Sequence, residues 1–269
     1  MPEVWFFSVL GLRVLLKPTS PSNSVERVAI FAALDWECKP VLRHLRRVRR
    51  ERVADTTLWR GEAPGREVWL IKTAVGERCA ATAVQGVCGN GGFDLFLSTG
   101  CAGALLPSLR PGDLTIATAV IGNSTGAQFP TDDRHRDQAR AVVERAGIHA
   151  VMGPVLCSAH VLATAEAKRA ATAGTGSVAV EMEGAALAAF AQENGIPFIA
   201  VRAVLDSADT ELPVAADLVD HNTGGINWRK LIRHLTAHPG GIPQLLALQR
   251  MQSAAQRSLE RFFRAWLLD

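Results

Sequence analysis

Short apolar runs rich in β-branched residues alternate along the chain with stretches whose apolar positions recur at helical spacing. Val28–Ala33, Val68–Thr73, Leu95–Thr99, Leu114–Ala119, Val178–Glu181 and Phe198–Leu205 read as strands. Glu37–Val48, Glu77–Val87, Arg136–Ala146, Ala165–Ala173 and Gly184–Asn194 read as helices. Strands apolar at nearly every residue must be covered on both faces, which predicts an α/β fold with a mostly parallel or mixed sheet between helices. In such sheets ligands gather at the carboxyl ends of the strands. Those ends carry chemistry here: Glu37 after the first, Gly100, Ala102 and Gly103 after the third, Glu181 to Glu183 after the fifth, and Asp206 after the last.

The remaining segments set the domain plan. Val120–Asp137 is a polar, glycine-containing loop of the length of a functional lid. Ile242–Leu268 is a long amphipathic helix pattern, with Leu245, Leu248, Met251, Ala255, Leu259, Phe262 and Trp266 on one stripe and Arg250, Arg257, Arg261 and Arg264 elsewhere. That stripe suits packing on the domain or on a subunit partner, or lying in a membrane interface. "KPTSPSNS" (Lys17 to Ser24) reads as a flexible leader. The expected organisation is a leader over 1–24, a main α/β domain over 25–225 and a helical extension over 226–269.

Composition narrows the function classes. A net charge of +3 gives no whole-protein field for nucleic acid, so no nucleic-acid partner is expected. The basic run Arg43–Arg52 reads as the solvated end of the first helix. Five scattered cysteines without a CxxC pair point to reduced thiols and a cytoplasmic setting. No run approaches the roughly 18–20 apolar residues of a membrane span, and "VWFFSVLGLRVLL" lacks the marks of a signal peptide. There is no Walker loop, GxGxxG or GxSxG elbow, and His234 and His238 have no third ligand nearby, so no cofactor and no metal are expected. Asn123 matches a glycosylation acceptor by chance alone.

One stretch breaks the apolar pattern. In "SVAVEMEGAALAAF" two carboxylates, Glu181 and Glu183, stand between a buried strand and an Ala-rich helix. Burying an unpaired carboxylate is costly, so a cap, a metal or a substrate must meet them; the local pattern leaves these three open.

Taken in order, "VAIFAALDWE", "VWLIKTAVGERCAA", "FDLFLSTGCAGALLPSLRPGDLTIAT", "VAVEMEGAAL" and "IPFIAVRAVLDSAD" resemble the nucleoside phosphorylase/nucleosidase superfamily over roughly Val25 to Asp209. The branch containing 5′-methylthioadenosine/S-adenosylhomocysteine nucleosidase is the most similar. The resemblance implies a three-layer α/β/α sandwich around a mixed central sheet, a homodimer or larger assembly, and cleavage of the N-glycosidic bond of a purine nucleoside. It makes Asp206 the acid that protonates N7 of the base, Glu37 the group that activates water, and Glu183 the acceptor for the ribose 2′- and 3′-hydroxyls. Met182 would line the sugar, and Cys101, Ala102 and Gly103 would lie at the site. Val161 and Leu162 would flank the purine where nucleosidases place an aromatic. Glu181 is left between ordering water near the ribose and pairing with Arg202.

Three positions depart from the nucleosidase pattern: Leu205 and Cys101 stand where serines are usual, and Val161 replaces the stacking aromatic. "DWECKP" lacks the Gly-Asp-Pro-x-Arg pattern of bacterial purine phosphorylases, which favours hydrolysis over phosphorolysis. The C-terminal extension, with "VEMEGAALAAFA", is similar to the hopanoid-associated phosphorylases. It implies a lipid-linked nucleoside, adenosylhopane, with peripheral membrane contact through the last helix. Methylthioadenosine or adenosylhomocysteine hydrolysis and purine phosphorolysis are the alternatives.

Overall fold

The computed structural model describes residues 25–53, 56–89, 91–122, 126–211 and 242–268. In chain order the elements are β1 (Glu26–Ala32), α1 (Asp35–Leu42), β2 (Arg46–Val53), β3 (Thr56–Ala63), β4 (Arg66–Lys72), α2 (Glu77–Cys88), β5 (Leu95–Ala104) and β6 (Leu114–Gly122). They continue with β7 (Gln128–Pro130), α3 (Asp133–Arg145), β8 (Ala150–Cys157), α4 (Ala165–Thr175), β9 (Ala179–Glu181), α5 (Gly184–Glu193), β10 (Phe198–Asp206) and α6 (Ile242–Leu268). One mixed sheet runs β10-β6-β8-β9-β5-β1-β4-β3-β2, with β7 on β6. β10 also pairs with β5 in parallel, which closes β5, β9, β8, β6 and β10 into a ring.

The apolar strands are explained by two cores, one on each face. Val28, Ile30 and Ala32 of β1 pack with Cys38 and Val41 of α1, Val142 and Val143 of α3, and Leu259 and Phe262 of α6. The alternate residues Ala29 and Phe31 turn the other way, to Ala80, Ala83 and Val84 of α2 and Leu187 and Ala188 of α5. Successive side chains point to opposite faces, so a strand between two helical layers has no face left for polar residues. The expected helix–sheet–helix layering is what forms.

The strand and helix expectations for 68–73, 77–87, 165–173, 184–194 and 198–205 agree with the observed elements to within a few residues. Others need correction. The first helix ends at Leu42, not Val48, and the basic run Arg43–Arg52 becomes, from Arg46 onward, edge strand β2 rather than a helix end. Its side chains pair across the ladder instead: Arg47 meets Glu62, Glu51 meets Arg60 of β3, and Arg50 lies over the Trp59 ring. A charged edge strand has no apolar alternation to announce it, and charge on an exposed edge discourages strand addition. β3 and β8 also went unread, since "TTLWRGEA" and "AVMGPVLC" carry glycine, proline or charge inside them. Much of the Val120–Asp137 loop is structured: β6 runs on to Gly122, β7 pairs back onto it, and α3 starts at Asp133, capped by Asp132.

The C-terminal stripe packs on the domain. Ala255, Leu259, Phe262, Phe263, Trp266 and Leu267 join the core shared with α1 and α3, while Leu246 near the other end stays exposed. The leader over 1–24, the boundary near 225, Asn123, His234 and His238 lie outside the described residues.

Candidate active site

β5 is the spine of the site. The glycine-containing stretch read as a turn after this strand lies inside it, because β5 continues through Gly100, Cys101, Ala102 and Gly103 to Ala104. It continues because β10 pairs with it in parallel, Arg202 opposite Gly100 and, after a register shift past Val204, Asp206 opposite Gly103. Gly100 has φ of 132°, and a Cβ there would lie 2.8 Å from Glu37 Oε1 and 2.9 Å from Arg202 Nη1. Only glycine lets the carboxylate and the guanidinium close over the strand.

Glu37 reaches this point from the first turn of α1, 2% exposed. Three backbone amides hold it: Ala33 N and Leu34 N donate to Oε2 at 3.0 and 2.9 Å, and Cys101 N donates to Oε1 at 2.8 Å. The Cys101 thiol beside it is pushed well above its ordinary range by burial and then by the Glu37 charge.

The two acids that broke the hydrophobic pattern have different partners. Glu181 accepts from Glu183 N at 3.0 Å and from Gly184 N at 2.8 and 2.9 Å, and Arg202 Nη2 donates to its Oε2. It therefore caps the N-terminus of α5 and neutralises a buried arginine, with its oxygens taken up by the scaffold. Arg202, 2% exposed, is further fixed by the Thr99 carbonyl at 2.8 Å and Ser98 Oγ at 2.7 Å. Glu183 differs. Gly76 N donates to its Oε1 at 2.8 Å, and Oε2 stands 3.7 Å from Arg202 Nη1. Burial, and then the Glu181 charge, push its pKa up to about 7 against the pull of Arg202 and the Gly76 amide.

Asp206 ends β10, 3% exposed, beside Gly103; a Cβ on Gly103 would lie 3.4 and 3.5 Å from its two oxygens. Lys168 of α4 donates to Oδ2. Burial raises the Asp206 pKa above the ordinary aspartate value, and Lys168 opposes that rise. Met182, Val161 and Leu162 are half-buried. Leu162 packs on the cluster containing Val180, which itself abuts Gly103. Ala102 is not brought in by its side chain, which joins the core under α2 and α5. Among the described residues no group of three or more His, Cys, Asp or Glu is arranged to hold a metal ion.

A family model described as "Phosphorylase superfamily" matches residues 27–236, most of the chain. The chain belongs to the phosphorylase superfamily. Solved structures share the fold of this superfamily member at low identity. 5′-Methylthioadenosine/S-adenosylhomocysteine nucleosidase from Neisseria meningitidis, in complex with methylthio-immucillin-A, is 19% identical with a TM-score of 0.72, covering 90% of this chain and 98% of that one. S-adenosylhomocysteine nucleosidase from Streptococcus pyogenes, in complex with 5-methylthiotubericidin, is 20% identical with a TM-score of 0.68, covering 88% and 95%. Futalosine hydrolase of Helicobacter pylori is 16% identical with a TM-score of 0.70, covering 91% and 98%.

Two residues of this phosphorylase-superfamily site escaped the sequence reading. Lys168 stands next to Arg169 in an Ala-rich helix, and nothing local says which of the two points inward. Gly76 was visible only as the residue before a helix start, while its amide is the donor that holds Glu183.

Proposed function

We propose that this enzyme hydrolyses the N-glycosidic bond of a 5′-substituted adenosine and releases adenine. One observation carries the reading: three buried carboxyl groups from separate elements gather along β5, Glu37 on the Cys101 amide, Asp206 beside Gly103, and Glu183 3.7 Å from the Arg202 that pairs opposite Gly100. Breaking a ribose–purine bond builds positive charge on the sugar and negative charge on the base. Asp206, with its raised pKa, donates a proton to N7 of the departing purine. Glu183 accepts the ribose hydroxyls and, with Glu37, supports the oxocarbenium-like sugar. Glu37, oriented by three amides, accepts a proton from a water aimed at C1′.

The charge balance favours water over phosphate as the nucleophile. The guanidinium among these acids, Arg202, is already engaged by Glu181, Thr99 and Ser98, and Arg78 at the start of α2 is exposed. An incoming phosphate dianion would meet Glu37 and Glu183 instead of a cation. For the 5′ substituent, the sequence resemblance favours a hopane-linked adenosine, and the names of the solved relatives favour a small thioether such as methylthioadenosine. We propose a homodimer as the working form, as the same resemblance implies. The apolar stripe of α6 is internal from Ala255 onward, so it supports no membrane contact. Among the described residues no helix is long and apolar enough to cross a membrane.

The test is adenine release from adenosylhopane, methylthioadenosine and adenosylhomocysteine, each with and without phosphate. Release independent of phosphate is expected. Release that requires phosphate overturns the hydrolytic reading, and no release from any of the three overturns the substrate class.

A further inference from the structure

The described residues contain one lysine that is almost wholly buried. Lys168 is 1% exposed and sits in the first turn and a half of α4, a helix capped by Thr164. Its ammonium has three N–H groups and three acceptors: Asp206 Oδ2, the Ser207 carbonyl at 2.8 Å and the Thr210 carbonyl at 3.0 Å. No donor is left over for a ligand, so whatever Lys168 does, it does through Asp206 and the backbone behind it. One turn on, the Thr172 hydroxyl donates to the Leu105 carbonyl and ties α4 to the end of β5. The lysine is therefore held from the same strand that carries the site.

We infer that Lys168 is the positioning residue for the proton donor: it pins one oxygen of Asp206 and the segment after β10, leaving the other oxygen, Oδ1, to face the purine. The inference rests on the reading that Asp206 protonates the base. Gly103 closes the floor beneath the carboxyl, and Leu205, its chain neighbour, brings no donor. Lys168 on α4 is the charged group that acts on Asp206, and β5 faces it with uncharged Gly103. The Glu37, Glu181, Glu183 and Arg202 group is gathered around Arg202 at the Gly100 end of the same stretch.

The proton balance shows what this arrangement supplies. The Oδ1 proton passes to N7, the C1′–N9 bond breaks with its electron pair going to the purine, and water adds to C1′ while giving its proton to Glu37. Lys168 gains and loses nothing, but its ammonium now faces a full carboxylate. The pair is thus stronger after proton transfer than before, and interactions that strengthen in the transition state raise kcat. Burial alone would hold Asp206 protonated but make it a weak acid. The ammonium offsets part of that effect.

The experiment compares wild type, Lys168→Met, Lys168→Arg and Asp206→Asn on the nucleoside that wild type cleaves, over a pH series. A parallel substrate is 4-nitrophenyl riboside, whose aryloxide leaves without protonation. Lys168→Met is expected to lower kcat on the purine nucleoside about ten- to a hundredfold with KM little changed. It is also expected to move the alkaline limb of kcat/KM upward by about one pH unit or more. Its loss on the nitrophenyl riboside is expected to be at least about tenfold smaller. Lys168→Arg returns the limb towards wild type. An unmoved limb, or equal losses on both substrates, overturns the inference and leaves Lys168 a structural residue. If Lys168→Met does not fold, Lys168→Gln is read in the same way; failure of both to fold also overturns it. An Asp206→Asn variant that still releases adenine overturns the underlying reading instead.

Discussion

The Gly76 amide donates to Glu183 Oε1 over 2.8 Å, so the residue at the N-terminus of α2 holds the side chain of the residue at the N-terminus of α5. Two helix N-termini from different parts of the chain thereby converge on one acid. Their partial positive charge favours a carboxylate there, while burial and Glu181 oppose it.

That contest makes Glu183→Gln informative. A carboxylate that accepts two sugar hydroxyls is expected to be worth about 10²-fold in kcat/KM over the amide. The stability effect has the opposite sign. With the folded pKa at about 7 and the ordinary value at 4.5, the favourable contribution of Glu183 is complete below 4.5 and is lost as pH rises through 7. Thermal melts of the Gln variant are therefore expected to match wild type near pH 4 and to exceed it at pH 8. A variant no more stable than wild type at pH 8 would show that Glu183 is not strained.

Arg202 makes the complementary case. Arg202→Met leaves Glu181 buried against the α5 N-terminus without its cation, and an uncompensated buried charge costs about 3–5 kcal/mol. Denaturant titration is expected to show a loss of that order. The double variant with Glu181→Gln is expected to recover part of it. Strict additivity of the two single losses would contradict the pairing.

A separate cluster predicts pH dependence away from the site. His135 lies between Glu26 (Nε2–Oε1 3.6 Å) and Asp132 (Nδ1–Oδ1 2.6 Å), and Arg66 joins Glu26 to the Trp266 carbonyl at the end of α6. Hydrogen bonding to Glu26 and Asp132 raises the His135 pKa, and His135 leads the groups that hold Glu26 down to about 2. The histidine contribution is complete below 6.5 and is lost as pH rises through its raised value. The glutamate contribution is complete above 4.5 and is lost as pH falls through 2. Support for the fold from this cluster is greatest between pH 4.5 and 6.5. His135→Gln is expected to flatten the melting-temperature profile between pH 6 and 8, and an unchanged slope there would refute the assignment.

α6 is tested by Phe262→Ala. Phe262 has no exposed surface and contacts Phe263 edge-on at 5.2 Å between ring centroids. Truncation is expected to destabilise the domain by about 3–5 kcal/mol, measured by chemical denaturation. A change within about 0.5 kcal/mol would mean that the helix does not belong to the core.

How much of this was legible in advance differs from element to element. β1, β5 and β10 announced themselves because burial on both faces leaves most of their residues apolar. β2 did not, because an edge strand of arginines has neither the apolar run nor the alternation that marks a strand. Glu37, Glu183 and Asp206 were visible as acids at strand ends, where a parallel sheet collects ligands. The stop of the first helix at Leu42 and the continuation of β5 through Gly103 were not, since the first gives way to a charged hairpin of β2 with β3 and the second depends on pairing with the distant β10.

The sequence by itself thus determined the layers, the strand ends and the identity of the acids, because local periodicity and polarity record which surfaces are buried. The tertiary structure decided the partners: Arg202 for Glu181, Gly76 for Glu183, and Lys168 rather than Arg169 for Asp206. Those choices join residues between 21 and 107 positions apart. Only the sheet register, with Arg202 opposite Gly100 and Asp206 opposite Gly103, brings the charges close enough to bind one another.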